Sequence, residues 1–579
     1  MCGIVGYVGY RDAASVCKDG LMHLEYRGYD SYGIASLSPK LSVFKSVGKI
    51  SNAKNISSLK GTCAIGHTRW ATHGVPSEIN AHPLTDCGDK IAVVHNGIIE
   101  NYAKLKAALI KRGHVFKSET DTEVIPHLIE EKYTGNLLDA VSKILPMLEG
   151  SYAILAVAEG ENTIVAARKG SPLVLGVGDS EYIFASDAVP LIDYTKNVIY
   201  LEDGDIAEVK SDGYKIFNGK KIVKHPISKI EWDASVVRKS GFPHYMLKEI
   251  FEQPDVFSNT IQSVKENKEV VALIKKASSI TVVACGTSAN ASMIFSYMME
   301  AVCKIPTRVV VGSEYKYFPT PASSLVIGVS QSGETADTIS ALKISKDMGA
   351  KTIAVTNVLG SSITRTADVV LYTRAGPEVS VAATKSFTAQ VAAFIEIVNL
   401  VSGKKLEPAV SDILRYLPDV VSADVSSAVE LCKNASTLLY VGRGMFYPVA
   451  MEGALKMKEI SYIHAEGYAA GELKHGPFAL LCRETPVAAL CLHGATYSVM
   501  MSNLKEIKAR NAPLVAVGEA GDQDLEDLCD VFIPLPKVSE YAGIILSSVI
   551  LQIMAYHCAV ALGRDVDMPR NLAKSVTVE

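Results

Sequence analysis

The 579-residue sequence has no CxxC pair, no regular cysteine spacing and no large excess of either charge. Its eleven cysteines, at positions 2, 17, 63, 87, 285, 303, 432, 482, 491, 529 and 558, are scattered. That excludes the disulfide framework of a small secreted domain and reads as reduced thiols in a cytoplasmic protein. Lys and Arg number 58 against 62 Asp and Glu, a formal charge of −4. The basic footprint of a nucleic-acid binder is missing, and no nucleic-acid partner is expected. The opening MCGIVGYVGYRD lacks the basic flank, long apolar run and small-residue cleavage site of a signal peptide, so export is not expected. One stretch, Ala542 to Leu562, is free of Asp, Glu, Lys and Arg over the roughly 20 residues a membrane crossing needs. Its Ser547, Ser548, Gln552 and His557 favour a helix buried in protein, and no membrane partner is expected. No Walker-type phosphate loop occurs, which disfavours a nucleotide.

What is present is 48% hydrophobic and 21% charged, a globular composition whose length implies roughly three or four domains. From residue 2 to about 225, short runs such as IAVVH, YAILAVA and TIVAARK alternate with Gly, Asn and Asp turns and predict a sheet-dominated domain. Two helices are expected there, around Ala13 to Leu24 and Val124 to Glu131. Residues 226–245 read as a linker. Beyond it, SITVVAC, SLVIGVS, TIAVTN and VVLYT alternate with helical patterns, as a parallel doubly wound sheet requires. The order repeats with LLYVGRG, VAALCLHG, PLVAVG and VFIPLP. The expected α/β organisation is therefore a first domain over 2–225, two related modules over 246–400 and 420–565, and a polar tail over 566–579.

Cys2 follows the initiator methionine, whose removal would put a free α-amine and a thiol on one residue. The amine titrates near 8 and the thiol near 8.5, so such a residue carries its own general base. Downstream stand His67-Thr68-Arg69-Trp70-Ala71-Thr72-His73-Gly74, His95-Asn96-Gly97 and Glu119-Thr120-Asp121. Asn-Gly after an apolar run is also a strong hairpin signal. His67 and His73 as metal ligands lack any HExxH or Cys/His companion, and no metal or cofactor is expected.

Together with CGIVGY and LEYRGYDS, these motifs resemble the N-terminal-nucleophile glutamine amidotransferase domain. The resemblance implies a glutaminase sandwich with Cys2 as nucleophile and Asn96 with the Gly97 amide as oxyanion hole. Arg69 would hold the glutamine α-carboxylate, Asp121 its α-ammonium, and His73 would join them. Trp70 would gate an ammonia passage and Arg27 would belong to the loop over the glutamine site.

In the second regime, Cys285-Gly286-Thr287-Ser288 and Ser330-Gln331-Ser332-Gly333-Glu334-Thr335 each follow a strand and open a helix, a geometry suited to an anion. Each cluster alone is equally a set of helix caps. Here the chain is similar to the sugar isomerase domain, present twice. The resemblance assigns phosphate binding to Ser288, Ser330, Gln331, Ser332 and Thr335. It further implies Glu459 as the base between C1 and C2 of an open-chain sugar, with Lys456 assisting. His475, donated by the neighbouring subunit of a homodimer, would open the ring, and Lys574 in the tail would form a Schiff base with the ketose. Joined, the two resemblances imply an enzyme that uses glutamine and fructose 6-phosphate and makes an amino sugar phosphate. Ala383 departs from the serine common at its place and leaves one sugar contact in doubt. Two other readings stand beside this one: another N-terminal-cysteine amidotransferase, for which no SGGxDS or diphosphate-sugar loop is found, and a sugar-phosphate sensor without catalysis.

Overall fold

The computed structural model describes all residues except 1, 55, 71–73, 231–238, 322–323 and 578–579. Contacts divide the chain into a unit comprising Met1–Val237 and Ala573–Val578 and a second comprising Arg238–Leu572.

The first unit is built on two antiparallel sheets, of eight and seven strands. Gly3–Val8, carrying the residues after Cys2, lies inside the eight-stranded sheet between Cys63–Arg69 and Tyr182–Ala185. Ile91–Ile99 and Gly150–Ala158 are neighbours in the seven-stranded sheet. Inward residues of both sheets, among them Ile4, Ile65, Val94, Leu155 and Phe184, form one apolar cluster, as facing pleats of a sandwich must. A second cluster joins the outer face of the seven-stranded sheet to helices Val124–Lys132 and Leu137–Ile144. The expected sandwich is therefore present, covered by helices.

Two helices there were not expected. Tyr102–Lys111 buries only Leu109, so its sequence carries almost no amphipathic signal. Leu137–Ile144 buries Leu137, Ala140, Val141 and Ile144 and is capped by Asn136, whose side chain accepts from Asp139 N at 2.9 Å. The sheets also extend into the segment expected as a linker: Ser228–Lys229 pairs with Asn197–Tyr200.

The second unit holds two five-stranded parallel sheets. In the first, the strands run Thr307–Val311, Ile280–Ala284, Leu325–Ser330, Thr352–Thr356, Val369–Tyr372. In the second they run His464–Ala469, Thr437–Gly442, Val487–Cys491, Leu514–Glu519, Val531–Leu535. Both have the spatial order 2-1-3-4-5, so the repeat read from the sequence is a repeat of topology. Only the edge strands Thr307–Val311 and His464–Ala469 were missing from the sequence reading of these sheets. The latter, HAEGYA, has no apolar run because its edge position does not demand one.

The charge-free stretch forms helix Glu540–Ala561, 83% buried over its most apolar window. Ser547 and Ser548 return their hydroxyls to Gly543 O and Ile544 O, and the Gln552 carbonyl accepts from Gln253 Nε2 at 2.9 Å. Its polar groups are thus satisfied inside protein, as expected for a core helix.

Strand His464–Ala469 lies against helix Phe446–Ser461 so closely that a Cβ on Gly467 would stand 2.5 Å from Met451 Cα and 2.6 Å from Met451 N. Neither backbone atom can move aside cheaply. Gly467→Ala is expected to cost about 1–3 kcal/mol through overpacking. Calorimetry of the full chain should show the transition of the second unit lowered by roughly 2–8 °C.

Candidate functional site

In the first unit, Cys2, Arg69, Asn96, Gly97, Asp121 and Thr577 line one cavity. The Cys2 thiol accepts from Trp70 N at 3.3 Å and lies 3.6 Å from Trp70 O. Burial raises its pKa, while the positive charge of Arg69 acts in the opposite direction. Trp70 thus serves the thiol through its main chain. Arg69 ends strand Cys63–Arg69, is buried, and donates to Gly74 O at 3.1 Å. Burial lowers its pKa, and the carboxylates of Asp30 and Asp121 counter that effect.

Asn96 and Gly97 do not form a hairpin turn. They lie within strand Ile91–Ile99, Asn96 opposite Ala153 and Gly97 opposite Tyr152. Gly97 has φ +126°, and a Cβ there would meet Ser151 O at 2.1 Å, so the glycine is needed for a local distortion of a paired strand. The Asn96 side chain is held at both ends. Its Nδ2 donates to Cys2 O at 2.9 Å, and its Oδ1 accepts from His67 Nε2 at 3.1 Å. His67 Nε2 is also 3.1 Å from the His95 carbonyl, which can only accept, so the ring proton belongs on Nε2. His82 Nδ1 stands 3.2 Å from the same nitrogen. Burial, then the charge of Arg69, depresses the His67 pKa to about 3, and burial likewise lowers those of His82 and His95. Three neutral imidazoles therefore back the Asn96 amide. His82 was not singled out in the sequence; its contact with His67 arises from folding alone.

Asp121 is buried in the same cavity and accepts from Ile99 N at 2.8 Å. Arg27 sits on the short turn Glu25–Arg27, buried, ion-paired with Asp187 and donating to Tyr26 OH at 3.2 Å. His73 lies outside the described residues.

The second unit gathers a different set. Strands Ile280–Ala284 and Leu325–Ser330 are neighbours, and their carboxyl ends mark the point where strand order reverses, the place where open α/β sheets bind ligands. Ser288 lies in the first turn of helix Gly286–Met298, and Ser330 ends its strand, with residues through Thr335 leading into the next helix. Ser330 Oγ and Thr335 Oγ1 are 2.8 Å apart, Gly333 N donates to Ser330 Oγ at 3.1 Å, and Glu334 N donates to Ser332 Oγ at 3.2 Å. Ser288 Oγ accepts from Gln390 Nε2 at 2.9 Å. Thr335 occupies the cap position of helix Ala336–Asp347 without using its side chain as a cap, so simple capping does not account for it. Gln331 is half-buried beside these hydroxyls.

Helix Phe446–Ser461 brings Glu452, Lys456 and Glu459 onto one face. Lys456 is no surface ion pair: its side chain is 1% exposed, 2.5 Å from Glu459 Oε2 and 3.4 Å from Glu452 Oε1. It also donates to Thr287 Oγ1 at 3.1 Å. Thr287 Oγ1 in turn donates to Glu452 Oε1 at 3.0 Å, and Asn290 Nδ2 donates to Glu452 Oε2 at 2.8 Å. Burial alone would lower the Lys456 pKa, but Glu459 and Glu452 outweigh it and the net shift is upward. Burial raises that of Glu452. Glu452 was overlooked in the sequence, although its place four residues before Lys456 was a readable signal. His475 is exposed at the end of the turn Ala470–His475. Lys574 is half-buried in the segment that clusters with the first unit.

Residues 67–193 match the glutamine amidotransferase domain family, and residues 273–398 and 431–562 match the SIS domain family. Glutamine–fructose-6-phosphate aminotransferases (isomerizing) from Thermus thermophilus, Pyrococcus horikoshii and Aquifex aeolicus are 44%, 45% and 44% identical to the chain, each over 100% of both sequences. Among solved structures, the C-terminal domain of glucosamine-fructose-6-phosphate aminotransferase from Francisella tularensis is similar at TM-score 0.53 and 34% identity, over 57% of this chain and 100% of that one. A putative phosphosugar isomerase from Silicibacter pomeroyi shares the fold at TM-score 0.51 and 24% identity, over 56% and 100%.

Two outcomes are expected from the first cavity. Gly97→Ala forces a Cβ onto Ser151 O in a backbone conformation that favours glycine, so the variant should lose about 1–3 kcal/mol of stability, read as a lowered melting transition of the first unit. The second concerns pH. His67 titrates near 6.5 when unfolded and about 3 when folded, so the unfolded chain takes up the proton first. The associated stabilisation is complete above about pH 6.5 and is lost as pH falls toward 3. Melting of the first unit should drop between pH 7 and pH 5, and His67→Gln should show a smaller drop.

Proposed function

The chain belongs to the glutamine–fructose-6-phosphate aminotransferase (isomerizing) family, and we propose that it makes glutamate and glucosamine 6-phosphate from glutamine and fructose 6-phosphate. It is an enzyme that joins a glutamine amidotransferase domain to two SIS domains. The observation that carries the residue assignments is the pair of separately built centres: a cysteine in a cavity with its main-chain carbonyl held by the Asn96 carboxamide in one unit, and a buried lysine between carboxylates beside the Thr287 hydroxyl in the other.

At the first centre, Cys2 attacks the glutamine amide with its own α-amine as base. Asn96 Nδ2 and the Gly97 amide stabilise the oxyanion, and the neutral His67 ring supports this by fixing which end of the Asn96 amide faces Cys2. Arg69 and Asp121, both in the cavity, receive the α-carboxylate and α-ammonium of the free amino acid. His73 completes that pocket, Trp70 gates the ammonia exit, and Arg27 anchors the covering loop. Water hydrolyses the thioester to glutamate, and the ammonia is consumed in the second reaction.

At the second centre, Ser288, Ser330, Gln331, Ser332 and Thr335 hold the sugar phosphate with hydroxyls and main-chain amides. His475 opens the ring; its exposure suits donation to the site of a second subunit, so the working form is a homodimer. Lys574 condenses with the C2 carbonyl, releasing water, and ammonia then displaces the lysine. Glu459 carries the proton between C1 and C2 while Lys456 remains a cation beside it. Ala383 leaves one sugar hydroxyl to a water or a backbone group. The enzyme acts in the cytoplasm.

Products formed from glutamine and fructose 6-phosphate, supplied separately and together, test the reaction: glutamate from the first alone and glucosamine 6-phosphate only from both are expected. Cys2→Ala should abolish glutamine-dependent synthesis and leave sugar-phosphate isomerisation intact. Borohydride added with fructose 6-phosphate should trap a secondary amine on the peptide containing Lys574 and none in Lys574→Arg, because a guanidinium stays protonated. A tag on Lys456 instead would overturn that assignment.

A further inference from the structure

Away from the glutamine cavity, four potential ligand atoms of the first unit converge: Cys87 Sγ, His114 Nδ1, His127 Nδ1 and a Glu130 carboxylate oxygen. Cys87 lies in the turn between strands Leu84–Thr85 and Ile91–Ile99, His114 follows helix Tyr102–Lys111, and His127 and Glu130 share a face of helix Val124–Lys132. The sulfur is 3.6 Å from His114 Nδ1 and 3.5 Å from His127 Nδ1. The two imidazole nitrogens are 3.3 Å apart, and Glu130 Oε2 lies 3.1 Å and 3.4 Å from them. A tetrahedral ion with bonds of about 2.0–2.3 Å would require ligand separations of about 3.3–3.7 Å. Five of the six separations are already close to that spacing, and all four atoms lie within 4.8 Å of one another.

Hydrogen bonding alone serves the group poorly. Two ring nitrogens, a thiol and a carboxylate facing one point are mostly acceptors and cannot all share the few available protons. One cation at the centre satisfies all four. The far sides of both rings fit the same reading, since metal-bound histidines turn their second nitrogen toward a carboxylate or carbonyl. His114 Nε2 is 3.3 Å from Glu131 Oε1, and His127 Nε2, on a ring 1% exposed, faces Glu123 Oε1 at 3.7 Å.

We infer that Cys87, His114, His127 and Glu130 bind a structural Zn²⁺ ion. Mixed sulfur and imidazole donors in a tetrahedron select a zinc-like ion over Mg²⁺ or Ca²⁺, and four protein ligands leave no open position for catalysis. The ion joins the turn at Cys87, the segment at His114 and the helix at His127. Glu123 extends the brace, accepting from Lys117 N at 2.7 Å and Ser118 N at 2.6 Å in the segment that continues to Asp121. This departs from the sequence expectation of no metal, and it rests on ligand geometry independently of the reaction proposed above.

The full chain, loaded with Zn²⁺ and then desalted, should retain about one ion per chain by mass spectrometry of the metal. Cys87→Ser and His127→Gln should retain less than about a tenth of that, while Cys482→Ser, which changes an exposed thiol elsewhere, should retain all of it. Co²⁺ in place of Zn²⁺ should give intense tetrahedral visible bands and a thiolate charge-transfer band in the unmodified protein, a readout that needs no variant to fold. Wild-type protein that holds no zinc, full retention by Cys87→Ser, or a weak octahedral cobalt spectrum without the thiolate band would each overturn the inference.

Discussion

A lysine ammonium almost fully removed from water is the constraint around which the second unit is arranged. Lys456 retains 1% of its side-chain exposure, and the carboxylates of Glu459 and Glu452 hold its pKa up against burial. Removing one partner of such a buried pair costs about 3–5 kcal/mol, so the cluster fixes its surroundings. Thr287 completes it, and Thr287 lies in the first turn of helix Gly286–Met298, which follows the strand Ile280–Ala284. Helix Phe446–Ser461 of the second repeat is thereby tied to helix Gly286–Met298 of the first. The duplicated modules are not equivalent here: one brings hydroxyl and amide side chains to the contact and the other the ionisable ones.

The first unit solves the opposite problem. Around the Asn96 amide, burial outweighs the pull of Asp121 on His95 and holds His67, His82 and His95 neutral. Neutrality is what the site requires. A protonated His67 could still donate to Asn96, but its charge would oppose the nearby Arg69 and raise the cost of burial. As a neutral donor it orients the carboxamide beside Cys2 and leaves Arg69 as the cation of the cavity wall.

The fold was legible wherever burial was two-sided. SITVVAC, SLVIGVS, TIAVTN and their repeats lie in sheets covered on both faces, where composition alone marks a strand. Edge strand His464–Ala469 and surface helix Tyr102–Lys111 escaped because neither position enforces an apolar pattern. Cys2 was singled out by its position and Asn96-Gly97 by resemblance, and folding brings all three to one cavity, but the propensity of Asn-Gly for turns pointed to the wrong local structure. What decided the matter was tertiary: the Ser151 carbonyl occupies the space a side chain at Gly97 would need. The Cys87, His114, His127 and Glu130 group carries no short spacing signal, since three separate elements deliver it and only folding brings the atoms within ligand distance.

The same electrostatics bear on the Schiff base proposed above. A Schiff-base lysine must lose its proton to attack, and a lysine is made ready for that by burial without counter-charge or by a neighbouring cation. Lys456 has burial but also two carboxylates, and the balance holds the proton on. It is a fixed positive charge that holds the Glu459 carboxylate in place. That balance counts against Lys456 as the amine of the Schiff base proposed above.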